Sequence, residues 1–134
     1  MHSGGRSSSF ETPFIWLEKA GLVLRCFNLN AIEKPLEANA DDTYFKAFIA
    51  DIGLLMAMYP LSTSQAFLRD ELESRKGAIF ENLVATMINK SGLPLYYYSR
   101  GSEHLEIDFI FESEKGIVLL EEKSVNGKMA ASRN

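Results

Sequence analysis

Apolar and polar positions follow two periods along this chain. From Ser62 the spacing is helical, first over STSQAFLRDELESR and then over KGAIFENLVATMINKSG. In the second run Ile79, Phe80, Leu83, Val84, Met87 and Ile88 recur with the helical repeat and predict one apolar face. Gly92, two residues before Pro94, supplies the stop. Glu81 lies at the border of that face, one turn from Val84, Ala85 and Ile88, where a carboxylate can look into a cleft. The period then changes to that of strands. LPLYYYS, HLEIDFIF and GIVLLEEKS are predicted as a meander, with turns at 100–103 and 113–116.

Upstream, Thr12-Pro13 marks a helix start and Gly21 a stop, giving a short helix over about 13–20. LVLRCFNL reads as a strand, AIEKPLEANADD as a polar connection with a short edge strand, and TYFKAFIAD as another strand. IGLLMAMY predicts a short apolar helix closed by Pro60, with Asp51 and Gly53 serving its start and a close backbone approach. This helix-and-hairpin unit resembles the end of a winged helix. The fold class expected is α/β, of the α+β kind.

Two of the predicted strands carry acids within apolar runs. Side-chain alternation puts Leu105, Ile107, Phe109 and Phe111 on one face and Glu106 and Asp108 on the other. On the next strand Glu121 and Lys123 share a face, and Glu122 opposes them. If Glu112 pairs with Ile117 across the hairpin, Asp108 stands opposite Glu121 and Glu106 opposite Lys123. Like charges in register need a compensating cation or open solvent. A magnesium ion, which takes one or two carboxylates with waters and phosphate, suits Asp108 and Glu121, with Glu81 able to hold a second ion or a bound water. Lys123 is then placed to orient water or balance phosphate charge. The alternative from spacing is an exposed, ion-paired sheet face, and spacing does not separate the two.

Composition narrows the picture without deciding it. The 134 residues are 46% apolar, enough for a core, and the net charge of -4 argues against a broad phosphate-binding surface. Cys26 is alone, which precludes an internal disulfide, fits the cytoplasm and marks a small core residue. No apolar run approaches the ~20 residues of a membrane helix, so no membrane partner is expected. MHSGGRSSS reads as a leader or tag remnant, and His2 goes with it. Tyr96, Tyr97 and Tyr98 fit a half-buried strand, and His104 fits a surface turn. Lys19, Arg25, Lys34 and Lys46 are too scattered for a basic recognition helix, which ranks winged-helix DNA binding third among functions. Arg69, Arg75, Lys76 and Arg100 are candidate phosphate contacts, although such cations usually form a solvated face.

Three motifs occur in order on the predicted elements: Gly77 with Phe80, Glu81 and Asn82; Glu-Ile-Asp-Phe at 106–109; and Glu-x-Lys-Ser at Glu121, Lys123 and Ser124. Together they resemble the C-terminal domain of unknown function of prokaryotic AAA-type ATPases, related to the restriction-endonuclease-like PD-(D/E)XK superfamily. YFKAFIADIGLL, with Phe48, Asp51, Gly53 and Leu54, and WLEKAGLVLRCF extend the resemblance upstream. It implies a leader over 1–9, a winged-helix-like and linker segment over 10–60, and a nuclease-like domain over 61–134. That domain is expected to be a helix plus a three-stranded mixed or antiparallel sheet, shortened at its C-terminus relative to the superfamily core. It implies Mg2+- or Mn2+-dependent phosphodiester hydrolysis of nucleic acid, with Glu81, Asp108 and Glu121 as metal ligands and Lys123 as electrostatic catalyst. No GxxxxGK[ST] loop occurs, so no ATP site is expected here. An ATPase module would be a partner, as would a second copy of the chain. The alternative function is a catalytically silent regulatory or protein-interaction module of the ATPase.

Overall fold

The computed structural model describes residues 5–6, 11–62, 73–102, 104–123 and 128–133, with side chains over 12–62, 77–102 and 104–121. The elements in chain order are β1 (Gly5–Arg6), α1 (Glu11–Lys19), β2 (Val23–Leu29), a 3-10 turn (Leu36–Asn39), β3 (Ala40–Ile49), α2 (Ile52–Met58), α3 (Glu73–Lys90), β4 (Tyr96–Arg100), β5 (Leu105–Ser113), β6 (Gly116–Lys123) and β7 (Lys128–Arg133). The fold is mixed α/β, as expected. Most of the helix expected over 62–75, with Arg69, lies outside the described residues, and the side chains of Arg75 and Lys76 are likewise not described.

The stops of α1 and α3 are made by glycine. Gly21 and Gly92 take φ of 74° and 77°, a left-handed conformation costly for a residue with a Cβ. After α1, Leu22 N–H reaches Leu17 O and Gly21 N–H reaches Glu18 O, and after α3 Leu93 N–H and Gly92 N–H do the same with Ile88 O and Asn89 O. These crossed bonds satisfy carbonyls that a helix end leaves unpaired. At α2, the Asp51 carboxylate accepts from Gly53 N at 2.7 Å and Leu54 N at 3.3 Å. A Cβ on Gly53 would meet that carboxylate at 3.1 Å, so the expected helix start and close approach are both present.

The strands form a seven-stranded sheet in the order β1-β3-β2-β4-β5-β6-β7. All neighbours are antiparallel except β2 and β4, which run parallel through Phe27↔Tyr96 and Asn28↔Tyr97. The sheet is thus continuous across residue 60, and the three-stranded sheet expected for 93–124 is part of a larger one. The physical reason lies in β2. Leu24 and Cys26 are buried on one face and Leu29 on the other, so with both faces covered the backbone groups of this strand are paired with a strand at each edge rather than with water. The edge strand expected within 31–42 is replaced by the 3-10 turn, whose Leu36 is buried and whose Leu36 N–H donates to Glu112 Oε1 at 2.8 Å.

Helix α3 covers one face. Ala85 and Ile88 pack with Leu24, Cys26, Phe48, Leu95, Tyr97 and Phe109. The opposite face is filled by Leu29, Leu36, Tyr96, Tyr98, Ile107 and Ile110, and beside them Phe14 of α1 packs against Val23, Phe45 and Ala47. The buried stripe of α3 runs through Ile79, Glu81, Asn82, Ala85, Thr86 and Ile88. This corrects the face read from apolar spacing, since Phe80 and Met87 are 39% and 61% exposed. The reason is that Asn82 faces the sheet: its Oδ1 accepts from Ile49 N at 2.9 Å and its Nδ2 donates to Ile49 O at 2.8 Å. That double bond to β3 fixes the helix rotation.

Candidate functional site

The acids of β5 owe their position to an irregularity in the strand. Tyr98 opposes Ile107 and Tyr96 opposes Ile110, so two residues on β4 span three on β5. The extra residue is a β-bulge, a device that re-aims a side chain. Its consequence is visible in packing, because Ile107 and Ile110 enter the cluster below the sheet while Phe109 and Phe111 pack on the α3 side. The expectation that Ile107 and Phe109 share a face is therefore corrected. Asp108 and Phe109 both turn towards α3, and Glu106 joins them there through Lys46.

Lys46 is the centre of the arrangement. It leaves β3 next to Cys26 of β2, the small buried residue opposite it in the ladder, and its ammonium lies 4.8 Å from the Tyr97 ring centroid. Nζ stands 3.4 Å from Glu81 Oε1, 3.5 Å from Glu106 Oε1 and 3.9 Å from Asp108 Oδ1. Burial alone would lower the Lys46 pKa, but attraction from Glu81, Asp108 and Glu106, with the Glu81 hydrogen bond, outweighs it and raises the pKa. The lysine stays charged. Around it, burial pushes the Cys26 thiol up and the Tyr97 hydroxyl up to about 12. Glu81 is 8% exposed, so α3 carries this carboxylate into the core rim beside the ammonium.

The cluster opens into a cleft of about 710 Å³ bordered also by Asn28, Tyr44 and Arg100. Asn28 locks its floor, with Oδ1 accepting from Ser99 N at 3.0 Å across the β2–β4 junction. Arg100 is tied to the Asn30 carbonyl at 2.7 Å.

Glu81 and Asp108 are thus brought together. The Glu112↔Ile117 pair expected across the hairpin is present, and Phe109↔Leu120 is the last pair towards Glu121. Leu120 packs on the α3 side and Leu119 on the other, so alternation along β6 sends Glu121 away from Asp108. Glu121 is exposed and does not line the cleft. Lys123 ends β6, and its side chain lies outside the described residues. His104 is exposed in the turn before β5. Among the described residues, no three His, Cys, Asp or Glu side chains stand in metal-holding geometry.

Sequence reasoning counted Lys46 only as one of several scattered cations. Its signal was present: it is a lone charge in the apolar run FKAFIA, two residues before the buried Phe48 and on the same face. Glu106 was placed with Asp108 but given no role.

Residues 76–133 match the family model described as Domain of unknown function (DUF4143). No curated protein and no solved structure matches the chain. Among the described residues, no helix is long and apolar enough to cross a membrane.

Proposed function

We propose that this chain is the C-terminal nuclease-like module of an AAA-type ATPase, acting in the cytoplasm on nucleic acid through a divalent metal held by Glu81 and Asp108. The observation that carries the reading is the convergence of these two carboxylates, from α3 and from the β5 bulge, on one point at the edge of an open cleft. Two carboxylates with waters and substrate phosphate are the donor set that Mg2+ prefers. Such an ion, when bound, supplies Lewis acidity to a phosphodiester and lowers the pKa of its water. Glu106 is the residue of this chain placed to accept a proton from attacking water, since it is the most exposed of the three acids at 62%. Arg100 at the cleft border is the available phosphate contact. Glu121 and Lys123 complete the set named by the family resemblance, and Glu121 would have to turn into the cleft to take part. The test is cleavage of single- and double-stranded DNA and RNA in Mg2+ or Mn2+ by the full chain. Activity lost in Asp108→Asn and retained in Glu114→Gln is expected, and clean preparations without cleavage of any substrate would refute it.

A second reading is favoured by Lys46. Its ammonium already compensates the acids, as in a catalytically silent module that passes a partner's state to the ATPase. Under it, Asp108→Asn leaves partner or self-association unchanged, measurable by sedimentation with the ATPase module.

A further inference from the structure

Within the described residues Lys46 and Arg100 line the cleft, and Lys46 is the cation set among its carboxylates. Lys46 is not a surface lysine that happens to meet an acid. Its side chain is 14% exposed, it lies over the Tyr97 ring, and it meets three carboxylates, from α3, from the β5 bulge and from the residue just before that bulge's Ile107. Three acids in so small a volume repel one another strongly unless a cation stands among them. The ammonium stands within 3.9 Å of an oxygen of each of the three. A divalent ion seeking the same oxygens must come closer to them, to about 2.0–2.1 Å for Mg2+. The carboxylates stand wider than that around Nζ. An ion bound directly to Glu81 Oε1 and Asp108 Oδ1 would compete with Lys46 for the oxygens its ammonium now faces.

We propose that Lys46 is a built-in competitor for the metal position, a tethered cation that holds the carboxylate cluster closed until a divalent ion displaces it. The inference rests on the metal reading of Glu81 and Asp108 and adds its regulation. Displacement has an open route, because the cluster faces the cleft beside Tyr44 and Arg100, and the released ammonium can swing there to meet a phosphate. Lys46 then changes from internal counter-ion to substrate contact as the ion enters. A segment or ligand that draws Lys46 into the cleft would raise metal affinity without touching the carboxylates.

The experiment is calorimetric titration of Mn2+ into the full chain, compared with Lys46→Met, which keeps an unbranched apolar stem one atom shorter and removes the charge. Lys46→Met is expected to bind Mn2+ at least tenfold more tightly, and Asp108→Asn added to it is expected to abolish the gain. Equal Mn2+ affinity in the two proteins, or no Mn2+ binding by folded Lys46→Met, would overturn the proposal. Should Lys46→Met fail to fold without metal, the wild-type protein provides the second measurement. With lysine side chains labelled, the Lys46 ε-methylene resonance is expected to move to the free-lysine position as Mg2+ saturates, and an unmoved resonance at saturation would be decisive against displacement. Tight binding by Lys46→Met with no cleavage by any form would remove the nuclease reading and leave the competition standing. Cleavage with metal affinity independent of Lys46 would do the reverse.

Discussion

At the scale of single residues, the site is a problem of charge in a confined space, and two uncharged neighbours of Lys46 report on it. Cys26 is fully buried beneath α3, and burial raises its thiol pKa far enough that thiolate is negligible at neutral pH. A chromogenic disulfide reagent is expected to leave the native protein unlabelled over minutes and to titrate one thiol per chain after unfolding; prompt labelling of the native protein would contradict this packing. Tyr97 reports on the other side. Burial first, and then the negative charge that ionisation would set against Cys26, Asp41 and Glu106, raise its pKa from 10.0 to about 12. The unfolded chain thus loses this proton first. The contribution is complete below pH 10 and is lost as pH rises towards about 12. Tyr97→Phe is expected to remove the last step of the tyrosinate absorbance titration and to flatten the alkaline loss of stability. An unchanged last step would assign it to another tyrosine.

At the scale of elements, one side chain fastens α3 to the sheet and one glycine ends it. Asn82 satisfies both backbone groups of Ile49 from a site 5% exposed. Asn82→Ala leaves that N–H and C=O without partners and is expected to cost about 2–4 kcal/mol in urea unfolding. A value near zero would mean that water replaces the amide at no cost. At Gly92 a Cβ would meet nothing within 4 Å, so Gly92→Ala isolates the strain of φ 77° and is expected to cost about 1 kcal/mol. Gly101→Ala, where a Cβ also has open space, serves as the neutral comparison. These elements also show what the sequence can reveal. Helix stops were legible because glycine announces them, and the β5–β6 register was legible because a short polar turn sits between two long apolar runs. The β5 bulge was not, for it contains no glycine and looks like regular alternation until Tyr96 and Tyr98 fix its partners. Asp108 was found from strand alternation and register and then by motif, but Lys46 was missed, since its meaning depends on strands that become neighbours only in the folded sheet. The rotation of α3 was misread for a related reason: a polar Asn82 on the buried stripe is explained only by Ile49, 33 residues earlier.

At the scale of the whole molecule, the question is whether residues before and after position 60 fold as one body. The β2–β4 junction carries the argument. β2 is held antiparallel to β3 on one side, and on the other it joins β4 through Phe27↔Tyr96 and Asn28↔Tyr97. Phe27 N–H adds a bond to Leu95 O at 3.1 Å, and the Asn28 side chain binds the backbone of Ser99. The core has the same composite origin. Leu24, Cys26 and Phe48 pack in one cluster with Ala85, Ile88, Tyr97 and Phe109, and the Phe48 and Phe109 rings lie 5.6 Å apart. Neither half can bury these surfaces alone, so their opening should be cooperative. Native-state hydrogen exchange is expected to give the amides of Cys26, Phe27 and Phe48 the same opening free energy as those of Tyr97, Phe109 and Ile110. Asn82→Ala should lower all six together, because it weakens α3 on the sheet they share. Two distinct opening energies, with only the later set responding, would mean that the chain is two units divided near residue 60 and that the parallel junction contributes little to holding them.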